Sequence, residues 1–158
     1  MKKGVIAVIS VLTGVALGIV GDGYYKNKII SQNNNRVNKF KSYYNILNQW
    51  IVLQHEGKKI EQFFINNGYS KIAIYGMGEI GNRLFEELKD SSIEVKYAID
   101  KNADNTYSQI EVYTLDDDLE EVDAIIVTTA FAFVEIKNSL EQKVNYPIIS
   151  LEDVVYEI

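Results

Sequence analysis

Eleven residues, Lys71-Ile-Ala-Ile-Tyr-Gly-Met-Gly-Glu-Ile-Gly81, restrict the fold of this chain more than any other stretch. An apolar run of strand length leads into glycines spaced G-x-G-x-x-G, and an amphipathic pattern follows with Ile80, Leu84, Phe85 and Leu88 on one helical stripe. Strand, glycine turn and helix in this order form a phosphate-binding corner. Gly76 is expected to make the tight turn, Gly78 to let backbone N–H groups approach a pyrophosphate, and Gly81 to let the helix pack close to the strand. Met77, Glu79 and Ile80 complete the loop and the first helical turn, whose N-terminus faces the phosphates. An acid, Asp100, ends the next apolar run, Val95–Ile99, at the distance where a carboxylate accepts the ribose hydroxyls of an adenine nucleotide. Lys101 beside it is counted with Asp100 as a nucleotide-contacting candidate, and the other reading of Asp100 is an ordinary turn acid before Lys101-Asn102.

The rest of the second half repeats the alternation. Strands are expected at Glu94–Asp100, Gln109–Leu115, Ala124–Val127 and Pro147–Leu151, and helices after the glycine corner, over Phe131–Lys143 and over Glu152–Ile158. Such alternation implies a parallel α/β sheet of about five strands, most simply in the order 3-2-1-4-5. Thr128 and Thr129 then fall at the carboxyl edge of the sheet, beside the crevice where ligands bind in such folds. Glu79 and Arg83, four apart, read as a surface ion pair. Arg83 is alternatively a phosphate partner, although Glu79 competes with an anion for the helix end. The run Asp116-Asp117-Asp118 reads as a solvated loop, since a calcium loop needs glycine where Glu121 stands.

The first half has another character. Gly4–Gly21 is eighteen residues without a charge, flanked by Lys2 and Lys3 and by Asp22. This length just spans a bilayer as a helix, and a membrane anchor over residues 1–22 is preferred to a cleaved signal or a soluble strand and helix. Lys26, Lys28, Arg36, Lys39 and Lys41 outnumber the two leading lysines, so the positive-inside bias puts the C-terminal domain in the cytoplasm of a single-pass protein. Gly14-x-x-x-Gly18 would allow two such helices to approach. Residues 23–35 end in Ser31-Gln32-Asn33-Asn34-Asn35 and read as a polar spacer or helix break. A helical lead-in over 36–68 follows, with Phe40, Tyr43, Leu47, Trp50 and Leu53 at helical spacing and Tyr44 and Ile51 widening the stripe. The stripe is read first as a helix packed on its own domain and second as a face for a partner. Gly57 ends that helix, Ile60–Asn67 forms a shorter one with Phe63 and Phe64 inward, and Gly68 caps it. His55 sits at a helix end and, as the only histidine, is a poor metal ligand.

Charge separates the halves. Residues 1–71 carry ten Lys or Arg against three acids, +7, and residues 72–158 carry six against nineteen, −13. The basic part suits an anionic membrane surface, and the acidic part repels nucleic acid, so no DNA or RNA partner is expected. Cysteine is absent, which removes disulfides, thiolate metal sites and a thiol nucleophile. Tyr97-x-x-x-Lys101 and Tyr24-x-x-x-Lys28 match the letters of a dehydrogenase pair, but neither lies on a helix beyond the fourth strand. No serine elbow, metal triad or Walker lysine occurs.

Ile-Ala-Ile-Tyr-Gly-Met-Gly-Glu-Ile-Gly, Tyr-Ala-Ile-Asp-Lys, Asp-Ala-Ile-Ile-Val-Thr-Thr and Ile-Ile-Ser-Leu-Glu-Asp together resemble the small Rossmann-like domains of bacterial cell-surface polysaccharide and nucleotide-sugar systems. Such domains stand beside glycosyltransferase and sugar-modifying modules and in membrane-bound nucleotide-sugar dehydratases. The resemblance covers Lys71 to Ile158, more loosely the Trp50 to Gly68 lead-in, and not the anchor, so residues 69–158 are expected to form the nucleotide-binding domain. It implies that Gly76, Gly78, Gly81 and Asp100 contact a nucleotide, NAD by the Asp100 argument, or a nucleotide-sugar. The dehydratase tyrosine and lysine have no counterpart. The expected role is a membrane-anchored accessory protein. The alternatives are an interaction module that keeps the fold without the ligand, and a reductase or dehydratase subunit whose catalytic residues come from another chain.

Overall fold

The computed structural model describes residues 28–158 in full and, ahead of them, only the backbone course from residue 2. The chain divides into two units, Met1–Asn38 and Lys39–Ile158. Helix α1 (Lys2–His55) is the element of the first unit and contributes its last turns to the second. The anchor expected over Gly4–Gly21 lies outside the described residues. Among the described residues no helix is long and apolar enough to cross a membrane.

The break expected at Ser31–Asn35 does not occur, because those residues lie within α1. Serine, glutamine and asparagine cost a helix at most ~0.7 kcal/mol each relative to alanine, and none removes a backbone donor as proline does. Ending the helix and nucleating another costs more than carrying a few poor formers.

The second unit continues with α2 (Glu61–Asn67), β1 (Lys71–Tyr75), α3 (Glu79–Leu88), β2 (Glu94–Ile99), β3 (Val112–Tyr113), β4 (Ala124–Val127), α4 (Phe133–Leu140), β5 (Ile148–Ser150) and α5 (Leu151–Glu157). All five strands are parallel, in the order β3-β2-β1-β4-β5, as the alternation predicts. Strand β3 is only two residues where seven were expected, and short 3-10 turns occupy Ala103–Asn105 and Ala130–Ala132. Glu94 pairs with Lys71 and Tyr97 with Ala73, so β2 carries an irregularity that displaces Lys96 from the ladder. Its ammonium lies 3.3 Å from Glu94.

Alternation along each strand divides the core. Ile72, Ile74, Ala98, Ala124 and Ile126 face a cluster built by α1, α2, α3 and α5, while Ala73, Tyr75, Ile99, Ile125 and Val127 face Ile136 and Leu140 of α4. A strand buried on both sides reads as a continuous apolar run, which is what Ile72–Tyr75 and Ala124–Val127 are. Each fully buried Leu or Ile contributes roughly 1.5–3 kcal/mol.

The aromatic stripe of α1 is two rows. Ile46, Trp50 and Leu53 are buried, with Tyr43 half-buried, so the helix does pack on its own domain. Phe40, Tyr44, Leu47 and Ile51 form an exposed row, with Phe40 72% exposed. Helical spacing admits Phe40 and Leu47 to either row, and only the third dimension assigns them. Glu87 on α3 fastens the buried row, accepting from Trp50 Nε1 at 2.5 Å and from the Ile60 amide at 3.2 Å.

Candidate functional site

Strand β1 ends at Tyr75 and the chain turns at once. Gly76 has φ +94°, which disfavours any residue with a Cβ, and its N–H donates to the Ile99 carbonyl at 2.8 Å. A Cβ here would also lie 2.6 Å from Thr129 Oγ1 and 2.8 Å from Thr128 Oγ1. The Thr128 hydroxyl is buried 2.6 Å from the Gly76 carbonyl and 3.1 Å from that of Tyr75, so its single proton holds the turn. At Gly81 a Cβ would come 2.1 Å from the Gly76 carbonyl oxygen, and the helix can approach the turn only because that atom is missing.

Gly78 differs from both. It is exposed and extended, at φ −72° and ψ −162°, and a Cβ built on it would meet nothing within 4 Å. It stands as N-cap of α3 with no side-chain cap, which leaves first-turn N–H groups without the usual partner. Asn82 reaches back from the helix and donates to the carbonyls of Met77 at 2.9 Å and Gly78 at 3.0 Å. The loop's carbonyls are thus tied inward. Met77 and Ile80 bury their side chains, so only their backbone belongs to the site.

Asp100, one residue beyond β2, accepts from the Met77 N–H at 3.0 Å through Oδ2 and from the Asn102 N–H at 3.0 Å through Oδ1. Each oxygen keeps a lone pair free for a ribose hydroxyl. A crevice of about 790 Å³ runs beside it, lined by Met77, Gly78, Glu79, Ile80 and Arg83, by Asp100, Asn102 and Tyr107, and by Leu47 from α1. The structure therefore brings Met77, Gly78, Glu79, Ile80 and Asp100 together on one wall. Gly76, Gly81 and Thr128 shape that wall from behind. Thr129 and Lys101 are not part of it, and the Lys101 ammonium instead lies 3.8 Å from Glu135. Sequence reasoning missed Asn82, Asn102, Tyr107 and Leu47. A polar residue four places after the second glycine is the one signal that would have found Asn82.

On the opposite face of the sheet, Tyr75 buries a hydroxyl that has no hydrogen-bond partner among the described residues, and its pKa is raised by burial first and then by the charges of Asp100 and Glu135. The phenol of Tyr43 on α1 is likewise raised by burial and then by the charge of Glu79. Another cavity, about 660 Å³, lies between α1 and α3 around Trp50 and Glu87. Both oxygens of that carboxylate already serve protein N–H groups. Among the described residues no three His, Cys, Asp or Glu are grouped to hold a metal ion.

The family model described as C2185-like, N-terminal, matches residues 68–149, just over half of the chain. The chain belongs to this family. The C2185-like N-terminal region takes in the glycine loop, Asp100, Asn82 and all of β1 to β4, whereas α1, α2 and α5 lie outside the match. No curated protein and no solved structure matches the chain.

Proposed function

We propose that this chain is a nucleotide-binding protein of Rossmann-like type, held at a membrane by its N-terminal segment with the binding domain in the cytoplasm. It would serve nucleotide-sugar or surface-polysaccharide metabolism as an accessory subunit, beside a glycosyltransferase or sugar-modifying partner. The observation that carries the ligand reading is Gly78. Gly76 and Gly81 are glycines because the protein's own atoms crowd them, but nothing among the described residues crowds Gly78. A glycine open on the crevice side, at an uncapped helix N-terminus, suits a phosphate that must come within hydrogen-bond distance of the backbone.

An adenine nucleotide fits the donor set as far as its adenosine half. Asp100 has lone pairs to accept a ribose 2′-hydroxyl, and its negative charge disfavours a 2′-phosphate, so NAD-type adenosine is preferred over NADP-type. Calorimetric titration of wild type and Gly78→Val with adenine and uridine nucleotides is the test. Binding by wild type and its loss in a folded Gly78→Val support the reading, while equal binding by both removes the glycine loop from the site.

A second reading rests on the exposed row Phe40, Tyr44, Leu47 and Ile51, large apolar side chains on one face of α1. In it the fold is kept and α1 holds a partner chain. If a folded protein binds no nucleotide at millimolar concentration, and Phe40→Ser with Tyr44→Ser changes its oligomeric state, this reading replaces the first.

A further inference from the structure

The two sides of the glycine loop differ along the carboxyl edge, with an open crevice on one and an aromatic contact between α1 and the loop after β4 on the other. On the β2 side lies the space of about 790 Å³ bounded by Gly78, Asp100 and Tyr107, within the size range that ordinary ligands fill. On the β4 side the chain leaves the sheet through Thr128 and Thr129 and places Phe131 against α1. The rings of Phe131 and Tyr43 meet edge to face, with centroids 6.0 Å apart and planes at 74°. The Lys39 ammonium stands 5.5 Å from the Tyr43 ring centroid and 5.6 Å from that of Phe131. Leu47, one turn further along the helix, reaches the wall of the open crevice. Lys39 to Leu47 of α1 therefore passes across the sheet edge from the loop after β4 toward the first turn of α3.

A dinucleotide in this kind of fold lies across the same edge. Its pyrophosphate sits at the glycine loop, with one nucleoside toward β2 and the other toward β4. Tyr43, Phe131 and Lys39 gather where the chain leaves β4, on the side of the second nucleoside. Resting on the nucleotide-binding reading above, we propose that the site takes a nucleotide with one nucleoside, ending in its phosphates, and that the Tyr43–Phe131 contact excludes the second nucleoside of a dinucleotide. Lys39 puts a positive charge on the β4 side, which suits a terminal phosphate and offsets the carboxylate of Glu79 at the helix end. The NAD expected from Asp100 alone would thus be replaced by its mononucleotide or diphosphate half.

The experiment titrates the full chain with ADP, UDP and NAD, as wild type, Phe131→Ala and Tyr43→Ala. Phe131 is 42% exposed, so its truncation leaves the core packed. Trp50, the sole tryptophan, reports whether α1 stays docked. The expected result is ADP or UDP binding wild type at least tenfold more tightly than NAD. Either truncation should then raise NAD affinity at least tenfold relative to that for the diphosphates. NAD binding wild type as well as the diphosphates overturns the exclusion and leaves the nucleotide reading standing. Weak NAD binding that neither truncation improves overturns the role of the Tyr43–Phe131 contact. No binding by ADP, UDP or NAD to the folded wild type overturns the nucleotide reading itself, and the exclusion with it.

Discussion

Replacing Gly81 with alanine adds one methyl group where there is no room for it. The new Cβ would sit 2.1 Å from the Gly76 carbonyl oxygen and 3.1 Å from its carbon, against 3.4 Å or more in an ordinary contact. Relief needs a shift of more than ~1 Å, and neither partner is free to give it. The Gly76 carbonyl is held by the Thr128 hydroxyl at 2.6 Å, and α3 cannot retreat without unpacking Ile80, Leu84 and Leu88, which are 5%, 0% and 0% exposed. Overpacking of this kind costs roughly 1–3 kcal/mol, more where backbone meets backbone, and the better helix propensity of alanine returns about 1 kcal/mol at most. We expect a net loss of about 1–3 kcal/mol, a fall of roughly 1 M in the urea midpoint for a typical small-domain slope. Urea unfolding followed by Trp50 fluorescence measures it. Gly78→Ala is the control, since its Cβ meets nothing and its backbone is extended, and its unfolding free energy should stay within about 0.5 kcal/mol of wild type. A Gly81→Ala midpoint at or above wild type would refute the close approach of helix and turn.

Asp123 accepts from the Ser70 N–H at 2.7 Å, the Lys71 N–H at 2.8 Å and the Ser70 hydroxyl at 3.0 Å, and these bonds, the backbone ones first, hold its carboxyl below the usual range. A depressed carboxylate stabilises above its unfolded pKa of about 4 and loses that contribution as pH falls through the folded value, so Asp123→Asn should flatten the acid limb of the stability curve. Unfolding free energies measured from pH 5 downward decide this, and an unchanged acid slope sinks it. Glu87→Ala leaves Trp50 Nε1 and the Ile60 amide without their acceptor. It should cost about 1–3 kcal/mol and move the tryptophan emission to the red, and an unshifted spectrum would show that the contact does not dock α1. Tyr75→Phe removes a buried hydroxyl that bonds nothing among the described residues, so thermal unfolding should show no loss and a gain of up to ~1 kcal/mol, whereas a clear loss would reveal an unseen partner.

The sheet order was readable because two signals agreed, apolar runs of strand length and helical patterns of matching length between them. The glycine spacing located the turn, and Asp100 fell beside it as expected. Three things had no counterpart in the letters. Gly76, Gly78 and Gly81 are identical as residues, yet only contact geometry shows that two are crowded by protein and one is open. Asp100 looked like a ribose acceptor and also bonds the Met77 amide, a contact across 23 positions that no local pattern encodes. The break expected at Ser31–Asn35 failed because propensity is a weak prior, and the α1 stripe divided because 3.6-residue periodicity fixes a face but not its partner. The edge-to-face pair of Tyr43 and Phe131 joins residues 88 positions apart.

The tied carbonyls of the glycine turn bear on how fast a ligand would be received. Thr128 fixes Gly76, Asn82 fixes Met77 and Gly78, and Asp100 fixes the Met77 amide, so the loop has one shape before anything arrives. A cradle already ordered charges no conformational entropy to the association step, and encounter with it is limited by diffusion and orientation. What stands beyond the cradle is the Tyr43–Phe131 contact. Association should therefore be rapid for a molecule that stops short of Tyr43 and sluggish for one that must first part those rings.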